Sequence, residues 1–203
     1  MGKKIITPKK LAIIMALITL VSFIYKFTIG VLATSLIMII AALPTLMVFV
    51  CKASFAKNMN QTREDKRRAY FIMTIAATCI AALFIMFSTL KIGGIDITNQ
   101  NRFEGWIGLI FIFFIIVMFV LSIINLKGAL NKTDLVVIGI KEVTFMSALA
   151  DAIMIQQFLY RVLLKYLNLP FMGQINRFFP FAIAVLMIIV PIQMFRRYFG
   201  YTS

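Results

Sequence analysis

The chain has 203 residues, a net charge of +14 and a mean hydropathy of +0.99; 62% of it is hydrophobic and 14% charged. Soluble domains are about 45–50% apolar and about 25% charged, so this composition excludes a soluble domain and predicts an all-α integral membrane protein, whose apolar side chains the bilayer takes up. The absence of histidine excludes His-based acid–base catalysis and His-ligated metals, and the chemistry as a whole argues against an enzyme and predicts no cofactor.

Six apolar stretches are each long enough to cross a bilayer, which takes about 20 residues at about 1.5 Å per residue. We expect a single polytopic domain over residues 1–203, a bundle of about six transmembrane helices. The first two are joined by a very short link centred on Lys26–Gly30, which predicts an antiparallel hairpin. The predicted spans are 11–29, 31–50, 69–90, 105–125, 135–160 and 179–195.

The orientation of the bundle follows from its basic residues. Most of the 21 Lys and Arg residues lie in segments on the same side as the N-terminus, and this bias predicts a cytoplasmic N-terminus. The first apolar run is too long for a signal peptide and ends without a small-x-small cleavage site, so we interpret it as an uncleaved span. The Ile-rich composition with Lys in excess over Arg predicts a multi-pass protein of a bacterial plasma membrane.

The fifth stretch leaves the number of spans open. It contains Lys141, Glu142 and Asp151, and each charge costs about 2.5–3.5 kcal/mol near the centre of a span. Its length favours crossing, which gives six spans. The alternative is five spans plus one interfacial helix.

A polar stripe follows the same stretch. Thr144, Ser147 and Asp151 are spaced by three and four residues and share one helix face, which Lys141 extends by a turn. An ionisable residue at this depth normally faces a bundle interior or a watery cavity, which predicts a site for a cation, a proton or a polar substrate. The alternative is a structural hydrogen bond or ion pair. Lys141 lies about 15 Å along the axis from Asp151, so any partner must come from another helix.

A basic cluster precedes the third span. Arg63, Lys66, Arg67 and Arg68 lie on the predicted cytoplasmic side, where they favour contact with anionic lipid or with a cytoplasmic protein partner. The segment lacks the interleaved aromatic residues that bind single-stranded nucleic acid, so we expect no nucleic-acid partner. The partners predicted are the lipid bilayer and either another protein or a second copy of the chain.

One short pattern carries a family resemblance. With its size and six predicted spans, Ala12-x-x-x-Ala16 resembles the first span of the small substrate-binding membrane subunits of energy-coupling-factor vitamin transporters. The resemblance implies docking to a transport subunit and assigns no ligand-binding residue, and the very short link after the first span departs from that family. The sequence thus favours a small transporter, or a membrane subunit of one, with a polar face on its fifth helix. The alternative is a non-transporting sensor, regulatory or assembly protein whose basic loop binds a partner.

Overall fold

The computed structural model of the chain describes residues 8–32, 36–57, 62–94, 113, 116–117, 119–124, 134–167 and 172–200. The described residues are all helical apart from caps and one turn. Their helices, in chain order, are α1 (Pro8–Leu32), α2 (Leu36–Lys57), α3 (Arg63–Ile92), α4 (described over 119–124), α5 (Leu135–Leu167) and α6 (Met172–Gly200).

Four of these helices contain segments long and apolar enough to cross a membrane: Ala12–Leu32, Met38–Ala56, Arg63–Ile92 and Gly173–Gly200. They support the expected helical membrane protein, while the count of six spans stays a prediction. Most of the predicted span 105–125 lies outside the described residues. The predicted span 135–160 falls within α5, a helix of 33 residues that contains Lys141, Glu142 and Asp151 and is not among these four.

Helix α5 lies at the centre of the described bundle. It packs against α2, α3 and α6, while α1 packs against α2, and α3 pairs with α6. Most of its residues from Leu135 to Met154 are buried, including Val143, Met146 and Ala150. Its partners contribute further core side chains, among them Tyr70, Phe84, Met187 and Met194.

Helix α1 has its polar side turned inward. The residues buried along it are Ala16, Thr19, Ser22, Lys26, Ile29 and Gly30, and the first five are spaced by three or four residues. The opposite side is apolar and exposed, as expected for a helix that faces lipid; Val21, for example, is 67% exposed. The predicted link at Lys26–Gly30 is therefore wrong: α1 continues to Leu32, and Lys26 is a buried helical residue.

Helices α3 and α5 run parallel to each other. Thr62 caps the start of α3 through reciprocal bonds with Asp65, and Asp134 caps the start of α5, accepting the N–H of Val136 at 3.0 Å. Lys66 Nζ lies 2.7 Å from Asp134 Oδ2, so the two helices begin at the same end of the bundle. We name this end, where α2 also finishes, the basic end.

We expect Gly30→Ala to destabilise the hairpin of α1 and α2. A Cβ at this position would lie 2.9 Å from the backbone nitrogen of Ile39 and 3.2 Å from its Cα, so one helix must shift. The free energy of unfolding in detergent should fall by about 1–3 kcal/mol. Gly173→Ala is the control, because its Cβ meets nothing within 4 Å. Equal thermal stability of the two variants would contradict the close approach of Gly30 on α1 to Ile39 on α2.

Acid should weaken the start of α5. Partial burial raises the pKa of Asp134, but the hydrogen bond and charge of Lys66 and the N–H groups of Val137 and Val136 outweigh it and hold that pKa below its ordinary value. The stabilisation is therefore complete above the unfolded pKa of about 3.9 and is lost as pH falls through the lower folded pKa.

Asp134→Asn isolates this charge effect, because asparagine caps a helix about as well as aspartate. The difference in melting temperature between wild type and Asp134→Asn should be present at neutral pH and shrink as the pH falls below about 4. Asp134→Ala also removes the cap and should cost about 0.5–2 kcal/mol more. A wild-type advantage that is independent of pH would contradict the role of this carboxylate.

Candidate functional site

A buried ion pair joins α1 to α5 in the middle of the bundle. Lys26 Nζ lies 2.6 Å from Asp151 Oδ1, and the two side chains are only 3% and 4% exposed. No further hydrogen bond from the described residues reaches Asp151 Oδ1, so the ammonium group is its partner. The partner that the sequence required from another helix is thus Lys26.

Two hydroxyl groups complete this arrangement. Lys26 Nζ donates to Thr45 Oγ1 at 2.9 Å, and Thr45 Oγ1 lies 2.8 Å from Ser147 Oγ. Ser147 stands one turn before Asp151 on α5, so the contacts pass from α1 through α2 back to α5. We call Lys26, Thr45, Ser147 and Asp151 the polar centre; all four residues are buried.

The local sequence of α2 loosens the helix beside the polar centre. Pro44 lies inside α2 and has no N–H to donate to the carbonyl of Ile40. The next residue is Thr45, whose side chain accepts from Lys26. Proline within a span is tolerated where neighbouring groups satisfy the backbone. Because Pro44 has no N–H, α2 has one helical hydrogen bond fewer at the level of the ion pair.

The predicted stripe on the fifth helix divides into three parts. Ser147 and Asp151 belong to the polar centre. The hydroxyl of Thr144 donates to the carbonyl of Ile140 at 2.6 Å and so stays on its own helix. Lys141 is half-buried, more than two turns from Asp151 along α5.

The predicted basic cluster lies at the basic end and is mostly exposed. Lys66 pairs with Asp134, and the guanidinium of Arg68 lies 2.6 Å from Glu64. The guanidinium carbon of Arg67 stands 4.9 Å from the ring centroid of Tyr198 on α6, and Arg63 is exposed.

A second buried cluster lies between the polar centre and the basic end. Tyr70 donates to Glu142 Oε2 at 2.9 Å, and Arg197 donates to Glu142 Oε1 at 2.5 Å. The tyrosine reaches α5 because Gly139 leaves room: a Cβ there would lie 2.9 Å from Tyr70 Cδ2. Glu142 therefore ties α3 and α6 to α5.

A third polar cluster lies towards the opposite end. Gln156 donates to Asn176 Oδ1 at 3.1 Å, and Lys91 Nζ lies 3.4 Å from the same oxygen. Gln157 donates to Gln156 at 2.8 Å. These contacts join the last part of α3, the second half of α5 and the first part of α6.

Sequence reasoning missed Lys26 and Thr45. The signal for Lys26 was present: Thr19, Ser22 and Lys26 follow one another by three and four residues within an apolar run, which is the pattern of a polar helix face. Thr45 had no such signal, because it is an isolated hydroxyl residue in an apolar helix.

The chemistry available is that of charge and hydrogen bonding. Among the described residues, no three carboxylate or cysteine side chains are grouped so that they could hold a metal ion. The polar centre offers one ammonium, one carboxylate and two hydroxyl groups. Groups of this kind can form ion pairs and hydrogen bonds with polar or charged molecules.

No family model, curated protein or solved structure matches the chain.

Removing one member of the pair should destabilise the protein far more than removing both. Asp151→Leu leaves the buried Lys26 unpaired, at a cost of about 3–5 kcal/mol. Adding Lys26→Met removes that charge, so the double variant should recover wild-type stability or exceed it. The measurement is thermal denaturation in detergent.

Glu64→Gln and Arg68→Gln serve as the matched control, because their side chains are both 73% exposed. These variants should change the free energy of unfolding by at most about 1 kcal/mol, singly or together. If Asp151→Leu behaves like this exposed pair, the ion pair is not buried as described.

Proposed function

We propose that the protein is a small membrane transporter, or the membrane subunit of one, and that the polar centre is the site through which its substrate passes. The observation that carries the proposal is the buried Lys26–Asp151 pair with Thr45 and Ser147. Ionisable residues inside a membrane are costly and mark pathways for substrates, ions or protons.

Energetics favour this function over a purely structural role. A buried ion pair is weak evidence for stability, since well-packed apolar residues of similar size often stabilise as well or better. A helix that served only to hold the bundle together would not need a charged pair at its middle. The cost of Lys26 and Asp151 is better explained by a pair that opens during function.

The position of the polar centre along α5 supports the same proposal. The cluster of Glu142 lies nine residues before Asp151, and the cluster of Gln156 lies five residues after it. Polar contacts between α5 and its neighbours α3 and α6 thus lie on both sides of the centre along the chain. In many transporters the substrate site lies near the middle of the bilayer and opens alternately to either side as one group of helices moves against another.

Six crossings and a cytoplasmic N-terminus are part of the proposal. Because α3 and α5 run parallel, the chain between Ile92 and Leu135 has to return from one end of the bundle to the other. The described residues 119–124 of α4 are helical, and Ile124 is 61% exposed, as expected for a lipid-facing helix. The exposed arginines at the basic end then favour the cytoplasmic side of a bacterial plasma membrane.

The alternative is a sensor, regulatory or assembly protein that transports nothing. The exposed guanidinium groups of Arg63, Arg67 and Arg68 favour it, because they suit anionic lipid headgroups or an acidic partner protein. It requires no movement at the polar centre.

The function is tested with Lys26→Met/Asp151→Leu, the double variant whose fold should be intact. Wild type and variant are reconstituted into vesicles, and uptake of a panel of labelled ions and small metabolites is measured. We expect wild-type uptake of at least one compound and loss of that uptake in the double variant. Uptake by the variant at the wild-type rate would show that the pair is structural and would favour the alternative function.

Cysteine labelling tests the topology. In a protein with Cys51→Ala and Cys79→Ala, Glu64→Cys should react with an impermeant reagent only from the cytoplasmic side, and Gln174→Cys only from outside. Both native positions are exposed at helix ends. Reaction of both cysteines from the same side would contradict the orientation of α3 and α6.

A further inference from the structure

The contact between α1 and α2 is polar on one side of the central pair and apolar on the other. Towards the basic end, α1 buries Thr19 and Ser22, and α2 places Lys52 beside them. Towards the opposite end, Ile29 is buried and Gly30 lies so close to Ile39 that a Cβ would meet its backbone at 2.9 Å. We call the stretch formed by Thr19, Ser22, Lys26, Thr45 and Lys52 the polar seam.

Lys52 brings a charge into the polar seam that no acidic side chain of the described residues balances. Its ammonium donates to Thr19 Oγ1 at 2.9 Å, and no carboxylate of the described residues pairs with it. Thr19 in turn donates its proton to the carbonyl of Met15 at 2.8 Å. The side chain of Lys52 is only half-exposed, so bulk water screens this charge incompletely.

Ser22 contributes a buried hydroxyl group without a partner. It is 3% exposed, and its Oγ has no hydrogen-bond partner among the described residues. It stands one turn from Thr19 and one turn from Lys26, on the side of α1 whose side chains reach α2 and α5. Buried polar groups are normally satisfied by protein or by bound solvent or ligand, so this hydroxyl indicates a polar occupant.

The charges identify the class of occupant. The polar seam contains two ammonium groups, Lys52 and Lys26, while the carboxylate at its far end, Asp151, is already paired with Lys26. A cation entering from the basic end would first meet the charge of Lys52. An anion would be attracted by that charge and could accept hydrogen bonds from Lys52 and Ser22.

From this geometry we propose that the polar seam is a half-pathway that opens to water at the basic end, where Lys52 lies, is closed at Gly30, and binds a small anion such as a carboxylate or an inorganic oxyanion. This rests on the proposed transport function and names its substrate class. The anion bound between Lys52 and Ser22 stands next to Lys26, which it would reach when the pair with Asp151 opens.

Charged thiol reagents test access and charge preference without a known substrate. Ser22→Cys and Val21→Cys are made in the protein with Cys51→Ala and Cys79→Ala, purified in detergent. Each is treated with an anionic sulfonate and a cationic trimethylammonium methanethiosulfonate. Rates are divided by those of a small free thiol, so that the intrinsic reactivities of the reagents cancel.

We expect Ser22→Cys to react, with a normalised preference of about tenfold for the anionic reagent. Lys52→Gln in the same background should abolish this preference. Lys10→Gln, which removes an exposed lysine of α1 towards the same end, should leave it unchanged. Val21→Cys, one residue away on the lipid side, should react with neither reagent.

Three results would overturn the proposal. If Ser22→Cys reacts only after denaturation, the polar seam is closed to water. If it prefers the cationic reagent, the ligand of the seam is not an anion. A preference that survives Lys52→Gln would remove the residue on which it depends. Labelling does not require transport, so the expected labelling pattern without any uptake would contradict the proposed function and leave the anion-binding seam standing.

Discussion

The arrangement of the bundle depends on one constraint: a charge inside an apolar bundle must be paired. Helix α5 lies at the centre although it carries Glu142 and Asp151 on buried positions. It is accommodated because α1 supplies Lys26 to Asp151, while α3 and α6 supply Tyr70 and Arg197 to Glu142. The polar contacts of α5 therefore link it to each of these three helices.

The same constraint explains the inward polar side of α1. Lipid accepts apolar side chains as readily as a protein interior does, so burial of apolar surface does not by itself decide which face of a helix turns inward. The face that carries Thr19, Ser22 and Lys26 must turn to the interior, because hydrocarbon offers no partner for its hydroxyl and ammonium groups. Its outward face, with Val21 67% exposed, suits hydrocarbon. Orientation in this helix follows from its few polar residues.

Composition and helical periodicity predict the class of protein and the polar face of α5 correctly. The position of a single charged residue, Lys26, is predicted wrongly when only its neighbours in the sequence are considered. The helical membrane class, the inward-facing position of Asp151 and the need for a partner on another helix all follow from the sequence. The sequence alone places Lys26 in the short link between two apolar runs, whereas the structure buries it within α1. Its pairing with Asp151 joins residues 125 positions apart, which no local pattern reveals. Thr144 lies on the same helix face as Asp151, but its hydroxyl donates to the carbonyl of Ile140 on its own helix. The spacing of residues shows which face a side chain lies on, but not which group it contacts.

The central claim is that Lys26 on α1 and Asp151 on α5 are buried together as a pair of opposite charges. Exchanging them tests this most directly, because Lys26→Asp combined with Asp151→Lys restores one long and one short side chain across the same gap. Melting temperatures in detergent are compared for wild type, the two single variants and the exchange variant. The account predicts that each single variant, which places like charges together, is strongly destabilised and that the exchange recovers most of the loss. An exchange variant no more stable than the single variants would contradict the pairing.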